Sequence, residues 1–287
     1  MYQSKNLEVY VADQCNLDCV GCSHESPFMT RRFEDPDRVG RALSQLWNYY
    51  QAPLVKLLGG EPLLHPDIHE VISVVKARTG AVIRIVTNGT LLKQRYHLLN
   101  GANEIHISSY PNIPIPNDSE LRTIAGYLGA SITVQAFGYF RWHRSMPSSD
   151  FTLTKRVFAT CQMFHSWQCH TLRDSRFYGC PPSATWASNN NEGVNLLTSD
   201  SDLQINIQTM LHRDVPFASC KECLGSAGQR FVHQIGWGRS RNTQSKLGLD
   251  LNFLHALEFN PDAYNGCFEY QRTIHPSGYT QLYGANK

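Results

Sequence analysis

The sequence predicts an α/β protein built on a parallel sheet, and three observations carry that prediction. Short apolar runs alternate with segments of helical periodicity from residue 7 to residue 137. Each run ends in a polar or glycine-rich stretch. The composition is that of a folded globule, with 41% hydrophobic and 17% charged residues over 287 positions. Repeated strand–helix alternation means parallel strands joined by right-handed crossovers. In such folds ligands bind at the carboxyl ends of the strands.

The elements follow in order. Leu7-Glu8-Val9-Tyr10-Val11-Ala12 alternates as a strand and runs into a cysteine-bearing loop, 13–26. Asp35-Pro36-Asp37 opens a helix, with a capping carboxylate and a proline in its first turn, and Val39, Leu43, Leu46 and Tyr50 recur at helical spacing. Residues 54–58 form the second strand and lead into Gly59-Gly60-Glu61-Pro62. A helix opened by Pro66-Asp67 and ended by Gly80 follows. Strand three is 82–86, closing on Thr87-Asn88-Gly89. A short helix spans about 91–99, strand four is 104–108 before Ser109-Tyr110-Pro111, a helix covers roughly 118–129, and strand five is 132–137.

The loop after the first strand carries Cys15, Cys19 and Cys22 in a C-x3-C-x2-C spacing. Three soft thiolates on one loop suit three corners of a cubic iron–sulfur cluster. The fourth iron then lacks a protein ligand and is free to bind S-adenosylmethionine (SAM). Zinc is the competing reading, with His24 completing a tetrahedron, but zinc usually takes paired cysteines and four ligands. Disulfides fit less well. The N-terminus has no signal-peptide pattern and no apolar run reaches membrane-spanning length, so a cytoplasmic protein is expected, where nine cysteines point to metal. The net charge of +2 gives no electrostatic reason to expect nucleic acid or an anionic membrane as partner.

The alternation breaks at 138–150, where Arg141, Trp142, His143 and Arg144 follow a strand end and are candidates for the barrel mouth or for a solvated loop. Five cysteines come next: Cys161, Cys169, Cys180, Cys220 and Cys223. The stretch from Cys169 to Cys180 reads as a hairpin delivering one beside the other. Cys220-Lys221-Glu222-Cys223 is a C-x2-C pair, and a zinc ribbon is the purely structural alternative for this set. The tail offers a helix around Leu249–Glu258. Its His233, Trp237, His255 and Tyr264 read as packing or surface residues. Cys267 is a structural thiol or a hydrogen-atom donor.

Taken together, the cysteine triplet, Gly-Gly-Glu-Pro after strand two, Thr-Asn-Gly after strand three and the serines after strand four resemble the radical SAM superfamily over about residues 7–140. The resemblance implies a partial (β/α)6 TIM-type barrel over 1–150, with a cysteine-rich extension over 151–287. It implies that Cys15, Cys19 and Cys22 hold a 4Fe–4S cluster, and that Gly59, Gly60 and Glu61 receive the methionine amino group. Asn88 and Ser108 or Ser109 would approach the ribose or carboxylate. Reductive cleavage of the sulfonium would give a 5′-deoxyadenosyl radical that abstracts hydrogen from a C–H bond. The family usually has an aromatic residue just before the third cysteine. Gly21 stands there, so adenine packing must come from elsewhere. The later cysteines resemble a one-cluster Twitch or SPASM-like extension. Cys180, Cys220 and Cys223 would hold a second 4Fe–4S cluster, with Cys161 or Cys169 as the fourth ligand. Ser175 stands where the family's hairpin glycine is expected.

These readings imply a small-molecule substrate, a natural product or carbohydrate, and a reductant such as flavodoxin or ferredoxin. Epimerisation, with Cys267 returning a hydrogen atom, leads. Alcohol dehydrogenation through the auxiliary cluster is the alternative. Peptide modification is a third, lowered because the first strand begins near residue 7 and leaves no room for an N-terminal leader-binding domain. A zinc-binding or electron-transfer protein without SAM chemistry is the alternative from another class.

Overall fold

The structure is a computed structural model and describes residues 1–186, 192–198, 202–236, 248–263 and 267–284. Five strands run parallel and in sequential order: β1 (Leu7–Ala12), β2 (Leu54–Gly59), β3 (Val82–Thr87), β4 (Glu104–Ser109) and β5 (Ser131–Phe137). Helices α1 (Pro36–Leu46), α2 (Ile68–Thr79), α3 (Leu92–Arg95, continued as a 3-10 turn to Leu99) and α4 (Asp118–Leu128) make the crossovers. Asp35 caps α1 by accepting from the Arg38 N–H at 2.8 Å. Gly80 and Gly129 end α2 and α4 in the left-handed region.

Side chains on alternate strand positions face opposite ways. One set, including Val9, Val55, Leu57, Ile83, Ile85, Ile105 and Ile107, is wholly buried. It packs in one core with Leu43, Leu46, Val71, Ile72 and Val75 from the helices. Each such side chain contributes about 1.5–3 kcal/mol. Leu57→Ala would cost about 2–5 kcal/mol.

The barrel departs from a simple six-strand series. The hairpin expected between Cys169 and Cys180 exists, as β7 (Thr171–Arg173) and β8 (Arg176–Tyr178), numbering after β6 (Tyr139–Arg141). Asp174 and Ser175 form its tip with φ of 52° and 57°, so serine adopts the conformation usually given to glycine. β7 pairs parallel with β1, which makes it a sixth parallel strand on the opposite edge from β5. β9 (Val194–Asn195) extends that edge by pairing with β8, and β10 (Arg230–Val232) pairs with β6.

On the far edge, β11 (Phe268–Ile274) adds antiparallel to β5, and β12 (Thr280–Gly284) pairs with β11. The tail therefore holds more than the expected helix, which is present as Leu251–Phe259. The hairpin escaped the sequence reading because β11 lacks apolar alternation. Its Gln271 and Thr273 bond to Gln135 and Thr133 across the sheet. Trp237 and Tyr264 lie outside the described residues. The hydrophobic core crosses residue 150: Phe158, Met163 and Phe164 pack in the same cluster as Leu7 and Val9. Among the described residues, no helix is long and apolar enough to cross a membrane.

Candidate active site at the cysteine loop

Cys15, Cys19 and Cys22 are half-buried and line one cavity of about 450 Å³ at the carboxyl ends of β1–β5. Backbone N–H groups point at the sulfurs. Leu17 N–H donates to Cys15 Sγ at 3.4 Å, and the N–H groups of Ser26, His24 and Glu25 favour an anionic Cys22. Burial opposes ionisation, and so does crowding: Cys15 is pushed up to about 12, first by desolvation and then by the charges of Glu61 and Cys22. Cys19 is raised further, by desolvation and by its two cysteine neighbours. Three crowded, desolvated thiols with N–H donors form a site that cationic iron would relieve. The donor set thus fits a 4Fe–4S cluster. Among the described residues, no three His, Cys, Asp or Glu side chains are gathered tightly enough for a single ion. His24 lines the same cavity, with its Nδ1 2.5 Å from the Gly59 carbonyl oxygen.

The strand ends hold this loop by direct backbone contact. Gly60 N–H donates to Ala12 O at 2.7 Å, and Glu61 N–H to Gln14 O at 2.9 Å. A Cβ on Gly60 would sit 2.0 Å from Gln14 O, and Gly59 has a φ of +139° with Ala12 O at 2.1 Å from its would-be Cβ. Both glycines line the cavity, but Glu61 does not. The Glu61 carboxylate is fully buried and accepts from Leu63 N–H, Thr87 Oγ1 and Asn88 N–H at 2.7–3.0 Å. It ties the ends of β2 and β3 together rather than facing the cavity, where the resemblance put it against an amine. Asn88 lines the cavity and donates to Asn16 Oδ1 at 2.8 Å, close to Cys15 Sγ at 3.6 Å. Ser108 lines it too, whereas Ser109 is not among its lining residues.

The extension closes over the loop. Val20 N–H donates to Gln234 O at 2.9 Å and Gly236 N–H to Asp18 O at 2.7 Å. His233 Nε2 lies 3.3 Å from Cys19 Sγ, and its ring stacks on Tyr110 with centroids 4.4 Å apart. Phe231 and Trp142 stack at 4.4 Å over Gly21. Arg141 and His143 line the cavity. Arg144 pairs with Glu25 and with Glu222, bracing the first cysteine loop against the Cys220–Cys223 turn.

Residues 9–121 match the family model of the radical SAM superfamily. The chain carries a radical SAM domain. That identification supports a 4Fe–4S cluster and SAM as its cofactors. A probable GTP 3′,8-cyclase of Methanocaldococcus jannaschii is 29% identical over 107 residues, covering 36% of each chain. One from Halobacterium salinarum is 36% identical over 96 residues, 31% of this chain and 26% of that one. The chain thus spans about a third or less of the length of these curated relatives. Among solved structures, BtrN in complex with AdoMet and 2-DOIA is 14% identical at a TM-score of 0.47, covering 77% of this chain and 92% of that one. Native anSMEcpe with bound AdoMet is 10% identical at 0.49, covering 90% and 96%.

Beyond the radical SAM domain, Cys161, Cys180, Cys220 and Cys223 line a second, small cavity. Cys169 is not among them. Its sulfur is buried beside Glu8 and Lys56, with Cys161 a further neighbour, and it stands outside that cavity's lining. The reason is local. The short helix Gln162–His165 and the Cys169 N–H bond to Met163 O at 2.8 Å return the chain toward β1 before the hairpin begins. Cys180 is pushed up to about 12, by burial and then by Cys161, and Cys220 is raised by burial and by Cys223, Cys180 and Cys161. Cys161 receives N–H groups from Phe164 and Met163, and Gly225 N–H donates to Cys223 Sγ at 3.2 Å.

Cys267, just before β11, lines the first cavity with Cys15, Cys19 and Cys22. Sequence reasoning missed five other polar lining residues: Glu8, Lys56, Arg84, His106 and Gln135. A signal existed, since strands of a parallel sheet covered on both faces should be nearly all apolar.

Proposed function

We propose that the protein is a radical SAM enzyme that abstracts hydrogen from a C–H bond of a small polar molecule, and that it is an epimerase in which Cys267 returns a hydrogen atom. The observation that carries this reading is that Cys267 shares one cavity with Cys15, Cys19 and Cys22. When bound, the cluster and SAM supply the hydrogen-abstracting chemistry. The chain's own residues position it. Gly59 and Gly60 let the β2 end approach the loop, Glu61 and Asn88 hold the β3 end and Asn16 beside Cys15, and the 230–236 segment covers Cys19 from solvent.

In the second half-reaction Cys267 S–H breaks and a C–H bond forms on the substrate carbon. The sulfur is left one electron and one proton short. A low-potential protein reductant, of the flavodoxin or ferredoxin kind, supplies the electron and water the proton. We further propose an auxiliary 4Fe–4S cluster on Cys161, Cys180, Cys220 and Cys223, supported by four cysteines around one cavity. That group is the observation favouring the second reading, an alcohol dehydrogenase that passes its second electron to the auxiliary cluster.

The GTP chemistry named for the curated relatives is less well supported for this chain. The cavity's cations already have partners: Lys56 pairs with Glu8, Arg84 with Glu104, and Arg141 bonds Gly228 O beneath the Phe253 ring. Product analysis in deuterium oxide tests the proposal. Epimerisation through an exchangeable thiol places one deuterium on carbon, and Cys267→Ala loses that product while still forming 5′-deoxyadenosine. A carbonyl product, or unchanged epimer from the variant, rejects the donor role.

A further inference from the structure

The inner faces of β1–β5 carry polar residues where a packed barrel would carry branched aliphatic ones. Neighbouring strands match them in pairs. Lys56 Nζ lies 3.3 Å from Glu8, Arg84 lies 2.6 Å from Glu104, Thr133 bonds Thr273 at 2.9 Å, and Gln135 bonds Gln271 at 3.0 Å. Burying polar groups is unfavourable unless they are bonded, so a matched layer is how a fold tolerates a polar interior. Some buried polar atoms stay unmatched, among them Tyr10 Oη on β1, Ser26 Oγ on the cysteine loop and one on β4. His106 Nε2, on β4, is buried and has no hydrogen-bond partner. It lies in the same cavity as Cys267 and the three cluster cysteines.

We infer that this polar layer is the substrate seat, that it takes an uncharged small molecule bearing hydroxyl or carbonyl groups, and that His106 Nε2 is the atom that grips it. The inference rests on the radical SAM reading above and names the substrate class of that site. Charge decides the class. Lys56 and Arg84 are each matched by a carboxylate on a neighbouring strand, and Arg141, which also lines the cavity, is held by Gly228 O and the Phe253 ring, which leaves no cluster of unmatched charge for a polyanion or a polycation. The imidazole is neutral as well. Burial, and then the charges of Arg84 and Lys56, lower it to about 4. A neutral ring nitrogen either donates or accepts, which suits a hydroxyl group. Its unmet bond is what a ligand oxygen would satisfy, and a site built this way rejects analogues lacking that oxygen.

The test uses anaerobically reconstituted full-length protein and saturation-transfer NMR against two compound pools. One holds uncharged sugars and polyols, the other phosphorylated sugars and nucleotides. The uncharged pool is expected to bind. His106→Phe should weaken that binding about tenfold, the loss of one buried hydrogen bond. His106→Asn, whose amide stops short of the Nε2 position, should weaken it likewise, whereas His106→Gln, which reaches it, should stay close to wild type. Iron content and SAM cleavage are read separately on every variant, and a failure there strikes the radical SAM reading instead. Binding of the phosphorylated pool in preference, binding of neither pool, or affinity indifferent to His106→Phe and His106→Asn would overturn the inference.

Discussion

Replacing Gly21 with alanine probes how the two halves of the chain meet at the cysteine loop. Gly21 has a φ of +65°, and a Cβ there would lie 2.7 Å from Phe231 Cζ. The ring cannot simply withdraw, because its other neighbours are the stacked Trp142 at 4.4 Å and the edge of Phe140 at 6.1 Å. The left-handed backbone alone costs an alanine about 1 kcal/mol. Forcing a methyl against a held ring adds about 1–3 kcal/mol. Gly21→Ala should therefore destabilise by about 2–4 kcal/mol in total. In a Phe231→Ala background only the backbone term remains, so the double-mutant cycle should return a coupling of about 1–3 kcal/mol. Urea midpoints of the four reduced, iron-free proteins measure it, with iron uptake as a second readout. Coupling within about 0.5 kcal/mol of zero would refute the claim that Phe231 fills the space of the missing side chain.

Three further outcomes follow from the same structure. Cys161→Ser should lose about four irons per chain on reconstitution, and Cys169→Ser should lose none, as read by iron assay and Mössbauer spectra. His233→Ala removes the ring nitrogen beside Cys19 Sγ and should lower the midpoint potential of the SAM-binding cluster by about 20–60 mV in an EPR-monitored titration, because a donor to sulfur stabilises the reduced form. An unmoved potential would contradict that role. Finally, His106, His143 and His170 are each lowered to about 4 by burial. The unfolded chain protonates them near 6.5 while the folded chain does not, so stability is full above 6.5 and falls between 6.5 and 4. At pH 5 the loss is about 2 kcal/mol for each histidine, measurable as a falling denaturation midpoint.

The strands and helices of residues 7–137 were legible because their apolar periodicity is undiluted and their ends carry caps, as at Asp35 and Gly80. The ends of β1, β2, β3 and β4 were legible as one site because parallel strands bring their carboxyl termini to one rim. What was not legible depends on pairing across long separations. β7 joins β1 from more than 160 positions away in sequence, and β11 joins β5 with a polar inner face that no hydrophobic pattern announces. Cys161, and not Cys169, lines the small cavity with Cys180, Cys220 and Cys223, and the backbone bond from Cys169 to Met163 that accompanies this is not encoded by spacing. Glu61 shows the opposite limit. Its position in the motif pointed to the ligand, but burial and three donors turn its carboxylate into the fold. At Gly21, where the family usually has an aromatic residue, the rings above the loop come instead from Trp142 and from Phe231 of the extension.

We propose that Cys15, Cys19 and Cys22 hold a SAM-cleaving cluster. It is tested most directly by reconstituting the chain without oxygen and counting metal while assaying SAM under a strong reductant. About eight irons per chain, with 5′-deoxyadenosine and methionine formed, is the predicted result, and Cys15→Ala, Cys19→Ala and Cys22→Ala together should abolish cleavage while leaving about four irons. One or two zinc ions per chain and no cleavage would contradict it.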